Sequence, residues 1–149
     1  MDLQGTEQFL YLYRNHSQPM RFLYQPFEAK RKEIIEVEID QSTKVKFMTA
    51  REFKSYKLGK TYSFHGGLFE ESPVRFVVPF DSNWHVVVEK GTYHEPLEIT
   101  AKCVLLNPNN LVRSSIAVDA PAEIKRLAFD NEDAAAHAAE ISLASKSEG

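Results

Sequence analysis

The sequence predicts a mainly β fold, an antiparallel β-sandwich or partly open barrel carrying a short helix and a C-terminal α-helix. Three observations carry this. Two stretches, 34–48 and 74–88, each contain a pair of segments that alternate apolar and polar residues with a period of two around a short polar loop. A further alternating segment runs from Leu97 to Leu106. Strands of this kind have one apolar face, and stacking two layers is the simplest way to cover such faces.

The elements follow in order. Met20 to Phe27 is rich in aromatic residues and reads as a strand, with Pro26 marking an edge or an end. In Glu33 to Asp40, Ile35, Val37 and Ile39 share one face, and Ile34, Glu36 and Glu38 the other. Thr43 to Met48 answers it, with Val45 and Phe47 inward and Lys44 and Lys46 outward. Closed about the loop Asp40-Gln41-Ser42, these form a hairpin that sets Val37 against Val45, Ile35 against Phe47, Glu38 against Lys44 and Glu36 against Lys46. Thr49-Ala50-Arg51-Glu52 is a capping-box pattern. It predicts a short helix that ends before Gly59, with Phe53 and Tyr56 on the inner side.

Beyond a strand-like Tyr62-Ser63-Phe64 and a turn at Gly66-Gly67 comes the second hairpin. The loop Asp81-Ser82-Asn83 pairs Phe80 with Trp84, Val78 with Val86 and Phe76 with Val88 on an inner face. Its outer face then pairs Pro79 with His85, Val77 with Val87 and Arg75 with Glu89. Leu97 to Leu106 is the last core strand, with Cys103 on its apolar face. Asn110 to Val118 suits an additional edge strand, and Asp119-Ala120-Pro121 a helix start. Asp130 opens an Ala-rich helix ending near Leu143, and Ser145 to Gly149 suits a disordered end. The organisation expected is an N-terminal extension (1–19), which the pattern leaves open between strand and helix, a β-rich core domain (20–108) and a C-terminal extension (109–149).

Composition narrows the function classes. The chain has 149 residues, 43% apolar and 26% charged, as is ordinary for a soluble domain. A cytoplasmic location is the default expectation given the single cysteine and the lack of a signal-like or membrane-spanning run. A formal charge of −3 argues against nucleic-acid binding, and no apolar run is long enough to cross a membrane. One cysteine excludes an intramolecular disulfide framework. Gly59-Lys60-Thr61 lacks the earlier glycine that a phosphate loop needs, since position 54 is lysine. His65, His85 and His94 show no metal-ligand spacing, and His85 is expected to be a solvated surface side chain. A thiol on the apolar face of a strand is expected to be inert. Glu70-Glu71 would point to opposite sides or to solvent, a poor acid–base couple. No catalytic residue, metal ligand or cofactor is therefore assigned.

The motifs Phe22-Leu23-Tyr24, Ile35-Glu36-Val37, Tyr56-Lys57-Leu58-Gly59, Gly66-Gly67, Ser72-Pro73-Val74, Trp84-His85-Val86-Val87-Val88 and Gly91 occur in a characteristic order and spacing. Over about residues 21 to 107 they resemble a small bacterial domain of unknown function that is sometimes fused to, or encoded beside, TIR domains. The resemblance implies a compact β-rich domain and a link to signalling or defence. It implies no catalytic residues. The function expected is a non-enzymatic binding or interaction module that meets a protein partner, or another copy, through a sheet edge or the Ala-rich tail. A small-ligand receptor is the alternative, with Tyr56, Lys57, His65 and Arg75 near its mouth. A small hydrolase with a histidine-based site is the third reading.

Overall fold

A computed structural model describes residues 8, 9, 11–14, 20–92 and 94–126, with side chains from Arg21 onward. The nine strands among them are β1 (Gln8–Phe9), β2 (Tyr11–Arg14), β3 (Met20–Ala29), β4 (Ile34–Ile39), β5 (Thr43–Thr49), β6 (His65–Phe69), β7 (Val74–Val77), β8 (Ser82–Thr92) and β9 (Ala101–Leu106). One helix, α1 (Ala50–Lys57), lies between β5 and β6. The strands form two antiparallel sheets of order β1-β9-β4-β7 and β2-β3-β8-β5-β6, a β-sandwich rather than a closed barrel.

The alternation of the sequence places most of the inner-face residues correctly, Phe80 excepted, but not the burial of Ile34 and Lys46 on the other face. Ile35, Val37, Val74, Phe76 and Cys103 of the first sheet are buried, as are Val45, Phe47, Trp84, Val86 and Val88 of the second. Phe47 stacks on Phe76 at 4.5 Å between ring centroids, and Phe76 meets Trp84 edge-on at 5.1 Å, so these faces meet across the sandwich. Burial pushes the Cys103 thiol up to about 12, which keeps it protonated and unreactive.

Neither expected hairpin forms. β4 pairs with β7 and β9, whereas β5 pairs with β6 and β8. Chain segments 40–42 and 78–81 therefore step from one sheet to the other. The ion pairs change partners accordingly. Glu36, expected opposite Lys46, sits opposite Arg75 and accepts from its Nε at 2.9 Å. Lys46 instead meets Glu89 at 2.8 Å, and Glu38 approaches Lys102 at 3.9 Å in place of Lys44. Period-two alternation says which face is buried, but two strands in opposite sheets of a sandwich satisfy it as well as two neighbours do.

Other expectations shift locally. Residues 60–64 are irregular and Gly66-Gly67 lie inside β6, not in a turn. Gly66 adopts φ +110°, and a Cβ there would lie 2.3 Å from the Val45 carbonyl oxygen, so the close β5–β6 approach needs glycine. The last strand is shorter than expected, beginning at Ala101. Residues 112–117 form no strand, yet they run along the free edge of β7. Ser114 Oγ accepts from Val77 N–H at 2.8 Å, Ser115 Oγ accepts from Arg75 N–H at 2.9 Å, and Ser115 N–H donates to the Arg75 carbonyl at 2.8 Å. Val118 N–H then donates to the Leu68 carbonyl of β6 at 2.8 Å. This strap covers the edge of β7.

The described residues divide into two units, the first ending at Val118 and the second beginning at Asp119. In the second, Pro121 precedes a turn of helix at 122–126, and Lys125 N–H donates to the Pro121 carbonyl at 3.1 Å. The Ala-rich helix and disordered end expected beyond it lie outside the described residues. No described helix is long and apolar enough to cross a membrane.

Candidate functional site

Part of the outer face of the second sheet, over β5 and β8, is covered by α1. Phe22, Val87 and Met48 form an apolar floor beneath Phe53 and Tyr56, the two residues the helical spacing places inward. Thr49 starts the helix without a side-chain cap bond, and Glu52 does not complete the expected box. Its Oε1 instead accepts from Ser63 N–H at 2.7 Å, tying segment 60–64 to the first turn of α1.

Within this cover lies a buried polar cluster. Lys46 Nζ donates to Glu89 Oε2 and to Tyr62 Oη, each at 2.8 Å, and Tyr56 Oη donates to the same carboxylate oxygen at 2.9 Å. The ammonium group lies 5.4, 5.3 and 4.8 Å from the ring centroids of Tyr56, Tyr62 and Phe64, cation–π range for all three. Burial alone would lower the lysine pKa, but the Glu89 carboxylate and Tyr62 hydroxyl outweigh it and hold Lys46 above its ordinary 10.5. Burial and the adjacent Glu89 charge raise Tyr56 well above its usual range. Glu89 is thus not the exposed partner of Arg75, and Lys46 is not an outward-facing surface lysine.

Beside the cluster, at the end of β5 and the start of β8, a groove of about 330 Å³ opens between the start of α1, segment 63–65 and the crossing before β8. Met48, Thr49, Glu52, Ser63, Phe64, His65, Phe80 and Trp84 line it. Trp84 Nε1 donates to the Phe80 carbonyl at 3.0 Å, and the two rings lie 5.1 Å apart. Phe80 was expected on the buried face of a hairpin. Because the chain is leaving one sheet for the other at this point, Phe80 is 50% exposed; Phe64, in the irregular segment before β6, is 40% exposed.

The four residues singled out from the sequence do not converge. Tyr56 is buried in the polar cluster, and Lys57 lies over the Phe53 ring at 4.8 Å. His65 borders the groove, against Phe76 and Trp84 at 5.2 and 5.7 Å. Arg75 is in the other sheet, paired with Glu36. Phe64, Phe80, Glu52 and Ser63 were not among the residues expected at a site. A usable signal was Pro79-Phe80-Asp81, where an aromatic residue stands between a strand breaker and a turn former instead of inside a strand.

The model of the family described as Domain of unknown function (DUF1883) matches residues 20–105. The chain belongs to this family. No curated protein and no solved structure matches it. The matched part of this DUF1883 domain runs from β3 into β9, and so includes α1, the polar cluster and the whole groove lining.

Two histidines give the DUF1883 domain a pH response. His85 is not solvated: it is half-buried and stacks on Phe53 at 4.4 Å. Burial, then the Lys57 charge, lowers its pKa below 6.5, and partial burial lowers that of His65. The unfolded chain accordingly binds protons that the fold refuses. Stability from these two rings is complete above about pH 6.5 and declines as pH falls toward the folded values. Urea midpoints at about pH 5 and pH 7.5 check the sign: the acidic one should be lower, and His85→Phe should reduce the difference while keeping the stacking.

Proposed function

We propose that this domain is a non-enzymatic binding module whose ligand enters the groove between Phe64 and Phe80. The observation that carries the reading is that two large aromatic side chains, 40% and 50% exposed, flank one concavity. Exposed aromatics gathered at a concave polar-rimmed site are the usual mark of recognition, whereas scattered ones are not. At about 330 Å³ the groove suits a small molecule or a single side chain. The strap along β7 takes up backbone groups that edge-to-edge pairing with a partner strand would use, which favours the groove over that edge.

A hydrolytic reading has less support. The histidine at the groove packs against Phe76 and Trp84, and the groove's one carboxylate accepts a backbone N–H instead of orienting that imidazole. The resemblance to domains found beside TIR modules extends the proposal to a sensing role in signalling or defence, in a bacterial cytoplasm.

Heteronuclear NMR against a set of amino-acid, sugar, nucleotide and amine probes tests the reading. Shifts should concentrate at Phe64, His65, Phe80 and the Trp84 indole. Phe80→Ser should weaken binding at least about tenfold, yet move the melting temperature by no more than about 2 °C, because a half-exposed side chain contributes little to folding. Probes that bind elsewhere, with the groove silent, would overturn it.

A further inference from the structure

The groove has a definite charge character. Among its eight lining residues, Glu52 is the only acidic side chain, and none is lysine or arginine. The start of α1 contributes the opposite sign, but a helix N-terminus amounts to about half a positive charge, which the full charge of Glu52 exceeds. The His65 imidazole, though exposed, has its pKa lowered from 6.5 by partial desolvation and is mostly neutral at pH 7, so it adds little positive charge. An anionic ligand would therefore meet a carboxylate with no cation to offset it. A cation would meet that carboxylate together with the faces of Phe64 and Phe80, whose ring quadrupoles attract positive charge.

The fold already holds one cation by this chemistry. Lys46 sits among Tyr56, Tyr62 and Phe64 with Glu89 as counter-ion. The groove shares Phe64 with that cage and has a similar composition, with Phe64, Phe80 and Trp84 as rings and Glu52 as the acid. The difference is that the buried cage is filled by the chain's own ammonium group and the groove is open. Because Glu89 neutralises Lys46, the internal cation does not repel a second one.

We infer that the groove binds an organic cation of side-chain size, an ammonium or guanidinium group held between Phe64 and Phe80 with Glu52 as its counter-ion. This rests on the groove reading proposed above. The cation could belong to a small molecule or to a basic residue of a peptide, and the same experiment separates the two sources.

NMR titrations would use choline, its neutral carbon isostere 3,3-dimethyl-1-butanol, acetate, and Nα-acetyl-lysine methylamide as the peptide-type cation. At least one of the two cations should shift Phe64, His65 and Phe80, and should bind about tenfold more tightly than the isostere. Preference for choline indicates a small-molecule source, and preference for the blocked lysine a peptide source. Glu52→Gln, which keeps an acceptor for Ser63 N–H, should remove most of that preference. Phe80→Leu, which stays apolar but loses the ring, should do the same while leaving isostere binding nearly unchanged. Isostere or acetate binding at the groove as tightly as the cations would overturn the charge assignment and leave the groove reading intact. If no probe of any class moves the groove resonances, the groove reading itself fails.

Discussion

Glu89→Ala is expected to destabilise the domain by about 3–5 kcal/mol, more than any surface substitution. The side chains of Lys46 and Glu89 are only 9% and 7% exposed, so removing the carboxylate leaves a buried ammonium group without its counter-ion and takes a charged acceptor from the Tyr56 hydroxyl. The cost is that of the orphaned groups and not the net worth of the pair. Replacing the unit with apolar groups of similar size, as Lys46→Met, Glu89→Leu and Tyr56→Phe together, should recover most of the loss. Buried ion pairs often do no better than well-packed hydrocarbon. Urea denaturation of the single and triple variants decides this. A single variant within about 1 kcal/mol of the parent would mean that the ammonium group reaches water despite its burial. The single change should also loosen segment 60–64, because Lys46 holds Tyr62 and Phe64 in place, and with them one wall of the groove.

The second large effect is expected at the centre of the sandwich. Phe47→Ala should cost about 3–5 kcal/mol. Phe47 is 2% exposed and its ring stacks on Phe76 of the opposite sheet, so truncation opens a cavity where the layers meet. Phe47→Leu should cost clearly less, since most of the volume is kept. Equal losses for the two variants in equilibrium unfolding would show that the ring contact, not the volume, is what matters at this site.

The sequence made much of the fold legible and little of the site, for one physical reason. Alternation reports burial, so it placed Val74, Phe76, Val78, Trp84, Val86 and Val88 inside, and helical spacing placed Phe53 and Tyr56 under α1. It does not report partners. Arg75 and Glu89 could be registered on adjacent strands, as could Glu36 and Lys46, and both pairings were chemically sensible. The folded chain exchanges them, and the exchange separates an exposed pair, Arg75 with Glu36, from a buried one, Lys46 with Glu89. The groove was harder still to foresee. Its walls come from the start of α1, an irregular segment and a sheet-to-sheet crossing, where no periodicity operates. Of the residues chosen from the sequence, His65 alone lines it.

The repeated crossings between sheets have a kinetic consequence. The first partner of β4 within its own sheet, β7, follows only after β5, α1 and β6, and the partners of β8 are β3 and β5. Sequence neighbours do pair at β2–β3, and β5 pairs with β6 around α1, but the central strands have no such short route. Loop-closure entropy is therefore spent before most of the ladder can repay it, which places such a topology among the slower folders, on the millisecond-to-second scale. Since each crossing commits one strand to either layer, neither sheet can be completed without ordering part of the other. The sandwich should thus gain and lose its structure as one cooperative unit.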